Sequence, residues 1–569
     1  MPALNAETRS GYLDRMASET FDVLVIGGGI TGLGVALDAA ARGYSVALVE
    51  KGDFGGSTSS KSTKLVHGGI RYLPQFDFAL VHEALVERGS LLQNAPYLVK
   101  PLAFVLPLYE DAKKPLGVPF TLPGGMGLGL MLSVGLLMYD TLAGGRGFPG
   151  HRRISVERAL TLAPTLRGEG LKEAFIYYDG QTNDTRLVVA ALRTATKFGA
   201  AITNYAEVTG FEKRDGKLSA AHLHDVIDGR DITIHARHIV NAGGIFAERI
   251  MALTGDESKV HVAPSKGVHL VVAADRVGIG DTGVVLPETE DGRILFVLPW
   301  EDRAVIGTTD TGTGDLDHPE ATPEDIDYLI RHVNRYLNVN LTRDDLISAF
   351  AGYRPLVSAR DKSSASLSRT HVVVQENNGL VTIVGGKLTT YRRMAQDTVD
   401  VLAKRDGMPI SHPTEKLLLS GAINWKQARV DLAQRCAEMG LDDDIEASLA
   451  FNYGSHALEI LDLVAENAEL GKRLIPDLPF IRAEVLYACR DEMAMRLDDA
   501  LARRMRIELE DRDRGAGVVT EVANLMAGAL GWSPATTTAQ IESYTHAVRQ
   551  SLVDEGLAEM LVIDAPGGE

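Results

Sequence analysis

The sequence predicts a mixed α/β chain in three parts: a parallel-sheet domain assembled from separated segments, a mostly antiparallel sheet domain, and a C-terminal helical domain. Three observations predict it. Near-continuous apolar runs closed by glycines recur at Phe21–Ile26, His238–Ala242 and Leu380–Val384, the pattern of buried parallel strands that feed helices. Between Ser258 and Arg354, short apolar runs alternate with acidic and Asp-Gly turns, as in an antiparallel sheet. From Trp425 onward apolar residues recur at helical spacing, as in Leu486, Cys489, Met493, Leu497, Ala500 and Leu501 within Ala483–Glu510.

Composition narrows the function classes. The 569 residues suffice for several domains, and 45% hydrophobic against 24% charged residues excludes a disordered chain. Subtracting 76 acidic from 58 basic residues leaves −18, which repels phosphate backbones and argues against a nucleic-acid partner. Only Cys436 and Cys489 are present and neither belongs to a CxxC pair, so no disulfide framework and no metal site are expected, and the compartment is read as cytoplasmic. Met1–Thr20 carries Glu7, Arg9, Asp14, Arg15 and Glu19 without an apolar core; it reads as a short polar arm and not an export signal.

The first element is the best specified. Strand Phe21–Ile26 runs into Gly27-Gly28-Gly29-Ile30-Thr31-Gly32, a GxGxxG turn, then a helix to Arg42, then strand Ser45–Val49 closed by Glu50. In this complete βαβ unit Gly27 permits the tight turn, Gly29 lets a pyrophosphate approach, Gly32 allows close helix packing, and Glu50 meets a ribose hydroxyl. A dinucleotide is implied. The loop from Gly52 to Lys64 is dense in hydroxyls; it reads either as a second binding face or as a flexible surface loop, and its place directly after the acid favours binding.

Pro115–Tyr139 contains no charged residue and approaches the length of a membrane span, but Pro115, Pro119 and Pro123 break its first half. The helix-competent remainder, Met126–Tyr139, suits a monotopic membrane contact or a buried helix better than a span. Further on, Gly243-Gly244 and Gly385-Gly386 each open an apparent helix. The second continues with Leu388, Tyr391, Met394, Ala395, Thr398, Val401 and Leu402 on one stripe, and its start would aim free N–H groups at an electron-rich ligand.

Three strings set a cation beside glycines: His67-Gly68-Gly69-Ile70-Arg71-Tyr72, Gly352-Tyr353-Arg354-Pro355 and Gly385-Gly386-Lys387-Leu388-Thr389-Thr390. Arg71 and Arg354 read either as a selective anion pocket or as ordinary ion pairs, and Tyr72 either as a hydroxyl donor or as a core aromatic. His269 stands alone at the start of a strand.

Taken together, IGGGITGLG, TSSKSTKLVHGGIRYL, SKGVHLVV, FVLPWEDRAVIGTTD, GYRPL and VGGKLTTYRRMA resemble the aerobic, respiratory FAD-dependent glycerol-3-phosphate dehydrogenases, in that family's order and over most of the chain. Where the family commonly reads NATGPW, this chain has Asn241-Ala242-Gly243-Gly244-Ile245-Phe246. The resemblance implies a discontinuous FAD-binding Rossmann-like domain (20–100, 180–257, 355–404), a mostly antiparallel substrate or cap domain (101–179, 258–354) with a membrane-contact segment at 115–139, and a helical domain at 405–569.

It implies cofactor contacts from Gly27, Gly28, Gly29, Ile30, Thr31, Gly32 and Glu50 on the adenosine half. Thr58, Ser59, Ser60, Ser62, Lys64, Leu65, His67, Gly68, Gly69, Ala242, Gly243, Gly386, Lys387, Leu388 and Thr389 would line the pyrophosphate and flavin. Arg71, Tyr72 and Arg354 would grip the substrate phosphate, with His269, Lys387 and Arg354 in the chemistry.

The implied reaction is oxidation of sn-glycerol 3-phosphate to dihydroxyacetone phosphate by hydride transfer from C2 to FAD N5, with electrons passed to a membrane quinone. His269 is read as the base, because an ordinary imidazole pKa near 6.5 suits proton abstraction at neutral pH. A glycerol-3-phosphate oxidase using oxygen, a flavin-dependent amino or hydroxy acid oxidase, and a non-catalytic flavin sensor are the alternatives. Peripheral placement on the cytoplasmic face of the inner membrane and a homodimer complete the expectation.

Overall fold

The computed structural model describes residues 3–112, 116, 127–358 and 370–560. Two sheets organise it. In the first, Val46–Val49, Thr20–Ile26, Asp231–Asn241 and Val381–Val384 lie side by side and parallel, with Ala201–Thr203 beyond Val46–Val49. Val46–Val49 and Val381–Val384 are buried at every position, as strands covered on both faces must be. Val372–Gln375 closes one edge antiparallel, and the hairpin Ala206–Arg214 with Lys217–Asp225 hangs from Asp231–Asn241. The helix Ile30–Ala41 packs between Asp184–Lys197 and Tyr391–Asp406.

Among the described residues the second sheet has nine strands, led by Leu346–Ser358, His261–Ala273, Arg303–Gly307, Leu295–Trp300 and Gly283–Leu286. It continues through Lys100–Tyr109 and Leu171–Gln181 to the two-residue strand Leu65–Val66, with Arg152–Ile154 also on Leu171–Gln181. All neighbours are antiparallel except Gly283–Leu286 with Lys100–Tyr109. Leu346–Ser358 pairs with His261–Ala273 over nearly its whole length, placing Arg354 opposite Ser265 and Phe350 opposite His269. His269 therefore sits well inside a thirteen-residue strand and not at its start, because the polar stretch His261–Lys266 also pairs. The C-terminal region is helical, from Trp425–Met439 to Pro534–Asp554.

Two expectations need correction. The N-terminal arm is a helix, Ala6–Ser18, capped by Asn5 on the Thr8 N–H. It buries Arg9, Leu13 and Met16 on one face; Arg9 is sunk against Asp225 at 2.5 Å and the Asn204 carbonyl at 2.9 Å, so a paired charge stands where an apolar signal was sought. Ala483–Glu510 is not one helix: it breaks after Arg482–Asp491, makes a π-turn at Asp499–Arg504, and resumes at Ile507–Glu510 after Arg506 adopts φ 71°.

Within Pro115–Tyr139, residues 115 and 117–126 lie outside the described residues. Residues 128–139 belong to the helix Leu128–Ala143, which buries Leu128, Leu132, Leu136, Tyr139 and Ala143. Its opposite face leaves Leu130, Val134, Leu137 and Met138 exposed, Leu130 at 71%. Among the described residues no helix is long and apolar enough to cross a membrane.

Candidate functional site

The glycine turn is shaped as its spacing predicts. A Cβ on Gly32 would fall 1.9 Å from the Gly27 carbonyl oxygen, so the helix can start this close to the strand only without a side chain there. The Glu50 carboxylate accepts the N–H groups of Gly28 at 2.6 Å and Gly52 at 2.9 Å. Ser59 Oγ, arriving from the hydroxyl loop, accepts the Ile30 N–H at 3.0 Å, so that loop lies over the helix start instead of extending freely from the surface.

From this turn a crevice of about 1740 Å³ opens toward the second sheet. Of the residues expected at the cofactor, Gly27, Gly29, Ile30, Thr31, Glu50, Thr58, Ser59, Ser62, Leu65, His67, Gly69, Ala242, Gly243, Gly386, Lys387, Leu388 and Thr389 line it, together with Arg71, Tyr72, His269 and Arg354. Gly28, Gly32, Ser60, Lys64 and Gly68 stand behind its wall. Lys64 is the clearest departure: its Nζ is buried against Asp184 at 2.7 Å and the Ser60 carbonyl at 2.8 Å, because the chain turns inward there to pair Leu65–Val66 with the second sheet.

The floor of the crevice is the antiparallel ladder. Arg354 donates to Thr308 Oγ1 at 3.0 Å and to the Thr309 and Lys266 carbonyls at 3.1 and 3.3 Å. Burial, eased by Asp310 and reinforced by Arg71, lowers its guanidinium pKa to about 10. His269 stacks on Phe350 at 4.8 Å between ring centroids, shares a 2.9 Å hydrogen bond between its Nε2 and Thr63 Oγ1, and leaves Nδ1 without a partner among the described residues. Its ring fits because Gly307 faces it: a Cβ there would fall 2.1 Å from His269 Cδ2. Burial, then Arg354 and Lys64, push the imidazole well below its ordinary pKa, so His269 is neutral but a weaker base than the sequence argument assumed.

A second group of cations faces this floor. Arg71 donates to the Tyr72 hydroxyl at 2.9 Å. Lys387 Nζ lies 4.2 Å from the Tyr72 ring centroid and has no hydrogen-bond partner among the described residues; burial and then Arg71 hold its pKa down to about 7. His67, whose N–H reaches Thr389 Oγ1, is lowered to about 3 by burial and by Lys387, Arg71 and Arg88. Cationic and neutral donors gathered on this stretch of the crevice wall could hold an anion, and a buried amine without a partner among the described residues would favour an electron-rich ligand.

The sequence reading missed several side chains of this site. Lys51 and Arg249 both meet Asp317, at 2.8 and 2.5 Å, and both lie over the Phe246 ring, closing the crevice near Glu50. Asp179 accepts the Gly68 N–H at 3.2 Å, Arg88 at 2.7 Å and the Tyr139 hydroxyl at 2.8 Å, linking the half-exposed helix to the glycines before Arg71. No local pattern marks these residues; each acts through a partner far along the chain.

Residues 22–392 match the family described as FAD dependent oxidoreductase, and residues 412–537 match the C-terminal domain of alpha-glycerophosphate oxidase. The chain is 36% identical over 572 residues to a glycerol-3-phosphate dehydrogenase of Mycobacterium leprae, spanning 99% of this chain and 95% of that one. It is 37% identical over 548 residues to the mitochondrial glycerol-3-phosphate dehydrogenase of Mus musculus, spanning 92% and 72%. The structure is similar to the glycerol-3-phosphate dehydrogenase of Bacillus halodurans complexed with FAD, with a TM-score of 0.79 and 28% identity over 97% of this chain and 99% of that one.

Proposed function

Since the chain belongs to the FAD-dependent glycerol-3-phosphate dehydrogenase family, we propose that it oxidises sn-glycerol 3-phosphate to dihydroxyacetone phosphate in the crevice between its two sheets. The observation that carries the reading is the meeting of Arg71, Arg354, Lys387 and His269 along one wall system with the dinucleotide turn. The residues present fit FAD: a glycine cradle that a Cβ would fill, a carboxylate at the end of the second strand, and, on the crevice-lining Lys387, a buried amine without a hydrogen-bond partner among the described residues. When bound, the flavin supplies the two-electron acceptor, taking hydride from C2 at N5.

Arg71 and Arg354 orient the phosphate dianion, so that binding energy remote from the reacting carbon fixes its position. Neutral His269 accepts the C2 hydroxyl proton, its ring held by the Phe350 stack and the Thr63 hydrogen bond. Lys387, poised near neutrality, stabilises negative charge that develops opposite it. Adding glycerol 3-phosphate without air should bleach the visible flavin band of the purified protein; a band that persists while the substrate binds would point to a sensor instead.

The electrons pass to a membrane quinone. Support comes from the exposed Leu130, Val134, Leu137 and Met138 on one helix face, with Phe76 and Phe78 exposed at the start of the helix packed against it, an apolar area that suits a peripheral lipid contact. Leu130→Asp with Leu137→Asp should release the protein from phospholipid vesicles while leaving anaerobic bleaching intact. Continued pelleting with vesicles would reject the contact, and stoichiometric peroxide in air would mark an oxidase.

A further inference from the structure

The hydroxyl loop that follows Glu50 is held at both ends by arginines from the far end of the chain. At its start, the buried Asp53 carboxylate accepts Arg504 Nη1 and Nη2 at 2.8 and 2.9 Å, Arg503 Nε at 2.7 Å and Asn204 Nδ2 at 3.1 Å. At its end, Asp184 accepts the Ser62 N–H and hydroxyl at 3.1 and 2.8 Å, Lys64 Nζ at 2.7 Å, and Arg506 Nη1 at 2.8 Å.

The three arginines share one short segment, the π-turn Asp499–Arg504 and the two residues after it. π-Turns recur at functional sites because they re-aim consecutive side chains that a regular helix would spread apart. Arg504 is tied down in turn by the Glu492 carbonyl at 2.9 Å, and Arg503 by Asp498 and Asp499 at 2.5 and 2.6 Å, so both guanidiniums are fixed in place before they meet Asp53.

Between these two anchors the loop makes three contacts that matter to the site. Ser59 Oγ takes the Ile30 N–H of the dinucleotide turn, Thr58 Oγ1 donates to the Tyr353 carbonyl at 2.7 Å, and Thr63 Oγ1 bonds His269. The loop thus touches the cofactor turn, the substrate ladder and the candidate base. Even with burial opposing, Arg504 and then Arg503 hold Asp53 at about 2, and Lys64 and then Arg506 hold Asp184 at about 2, so both acids are ionised throughout the physiological range.

We infer that Arg503, Arg504 and Arg506 are positioning residues for the flavin nucleotide, and that the C-terminal helical region is in this sense part of the cofactor site. The inference rests on FAD binding alone; its readout involves no substrate, so it stands or falls separately from the reaction proposed above.

The test is the rate at which FAD leaves the holoenzyme on dilution, followed by the rise of free-flavin fluorescence, for Arg504→Gln and Arg506→Gln. Loss of one charge-assisted contact to either acid should speed release about tenfold or more, with a changed visible circular dichroism of the bound flavin. A purely structural role would lower the melting temperatures of apoprotein and holoprotein alike and leave release well below melting unchanged. Wild-type release from both folded variants overturns the inference. Should Arg504→Gln fail to fold, Arg503→Gln, which keeps the bidentate Arg504 contact, takes its place with release expected to be a few-fold faster, and wild-type release from it likewise overturns the inference.

Discussion

Replacing Arg71 with glutamine should raise the pKa of Lys387. Arg71 Cζ lies 5.0 Å and Lys387 Nζ 4.2 Å from the Tyr72 ring centroid, so the two cations stand no more than roughly 9 Å apart. At that separation an effective dielectric of about 20 gives a repulsion of about 1.8 kcal/mol, or about 1.3 pH units, and full water screening would leave about 0.3. Removing a like charge favours the protonated amine, so the shift is upward, from about 7 toward 8. Glutamine keeps a donor for the Tyr72 hydroxyl, so the aromatic platform under Lys387 is retained. The assay is carbamylation of the substrate-free protein by cyanate across a pH series, with modification of Lys387 read by peptide mass spectrometry, since only the neutral amine reacts. A titration midpoint that stays at the wild-type value, or moves down, would refute the placement of these two cations in one electrostatic neighbourhood.

Other outcomes follow from the same geometry. Arg354→Gln should raise the KM for glycerol 3-phosphate by about ten- to a hundredfold through lost charge-assisted bonds while changing little the reduction of the flavin by glycerol, expected to be slow without a phosphate; equal losses for both compounds would contradict a phosphate role. Gly32→Ala, whose Cβ would fall 1.9 Å from the Gly27 carbonyl oxygen, should yield protein purified without its yellow colour. Asp53 and Asp184 have folded pKa values depressed to about 2, so the stability they contribute is full above their unfolded value of about 3.9 and is lost as pH falls through about 2. FAD release followed by fluorescence should therefore accelerate between about pH 4 and pH 2, and a release rate flat across that window would show that the two acids do not govern the loop.

Whatever depended on neighbours in sequence was legible. The turn Gly27–Gly32, the strand to Glu50 and the strand-glycine-helix unit at Lys387 are local patterns, and the structure lines them along the same crevice. Arg71 and Arg354 could be picked out as cations beside glycines, but their meeting is a property of sheet pairing that no spacing encodes. The Asp53–Arg504 contact joins residues 451 apart, and the short π-turn that aims Arg504 reads as ordinary helix by periodicity. Lys64 was misplaced because a polar string was read as facing one way, whereas the short strand at Leu65 rotates it into the interior. The helix Ala6–Ser18 was hidden because its inward face carries Arg9, whose burial is compensated by Asp225 and the Asn204 carbonyl, both far downstream.

The unbroken pairing of His261–Val271 with Ser348–Ser358 fixes the distance between His269 and Arg354 like marks on a ruler. A slip of one residue would turn His269 or Arg354 to the opposite face of the sheet, and a slip of two would undo the Phe350 stack, so no small adjustment of backbone can stretch the gap. A shift in the preferred length of the polyol must therefore arise by exchanging side chains on a stiff plate, which makes chain length the property this scaffold yields least readily and headgroup charge the one it yields most.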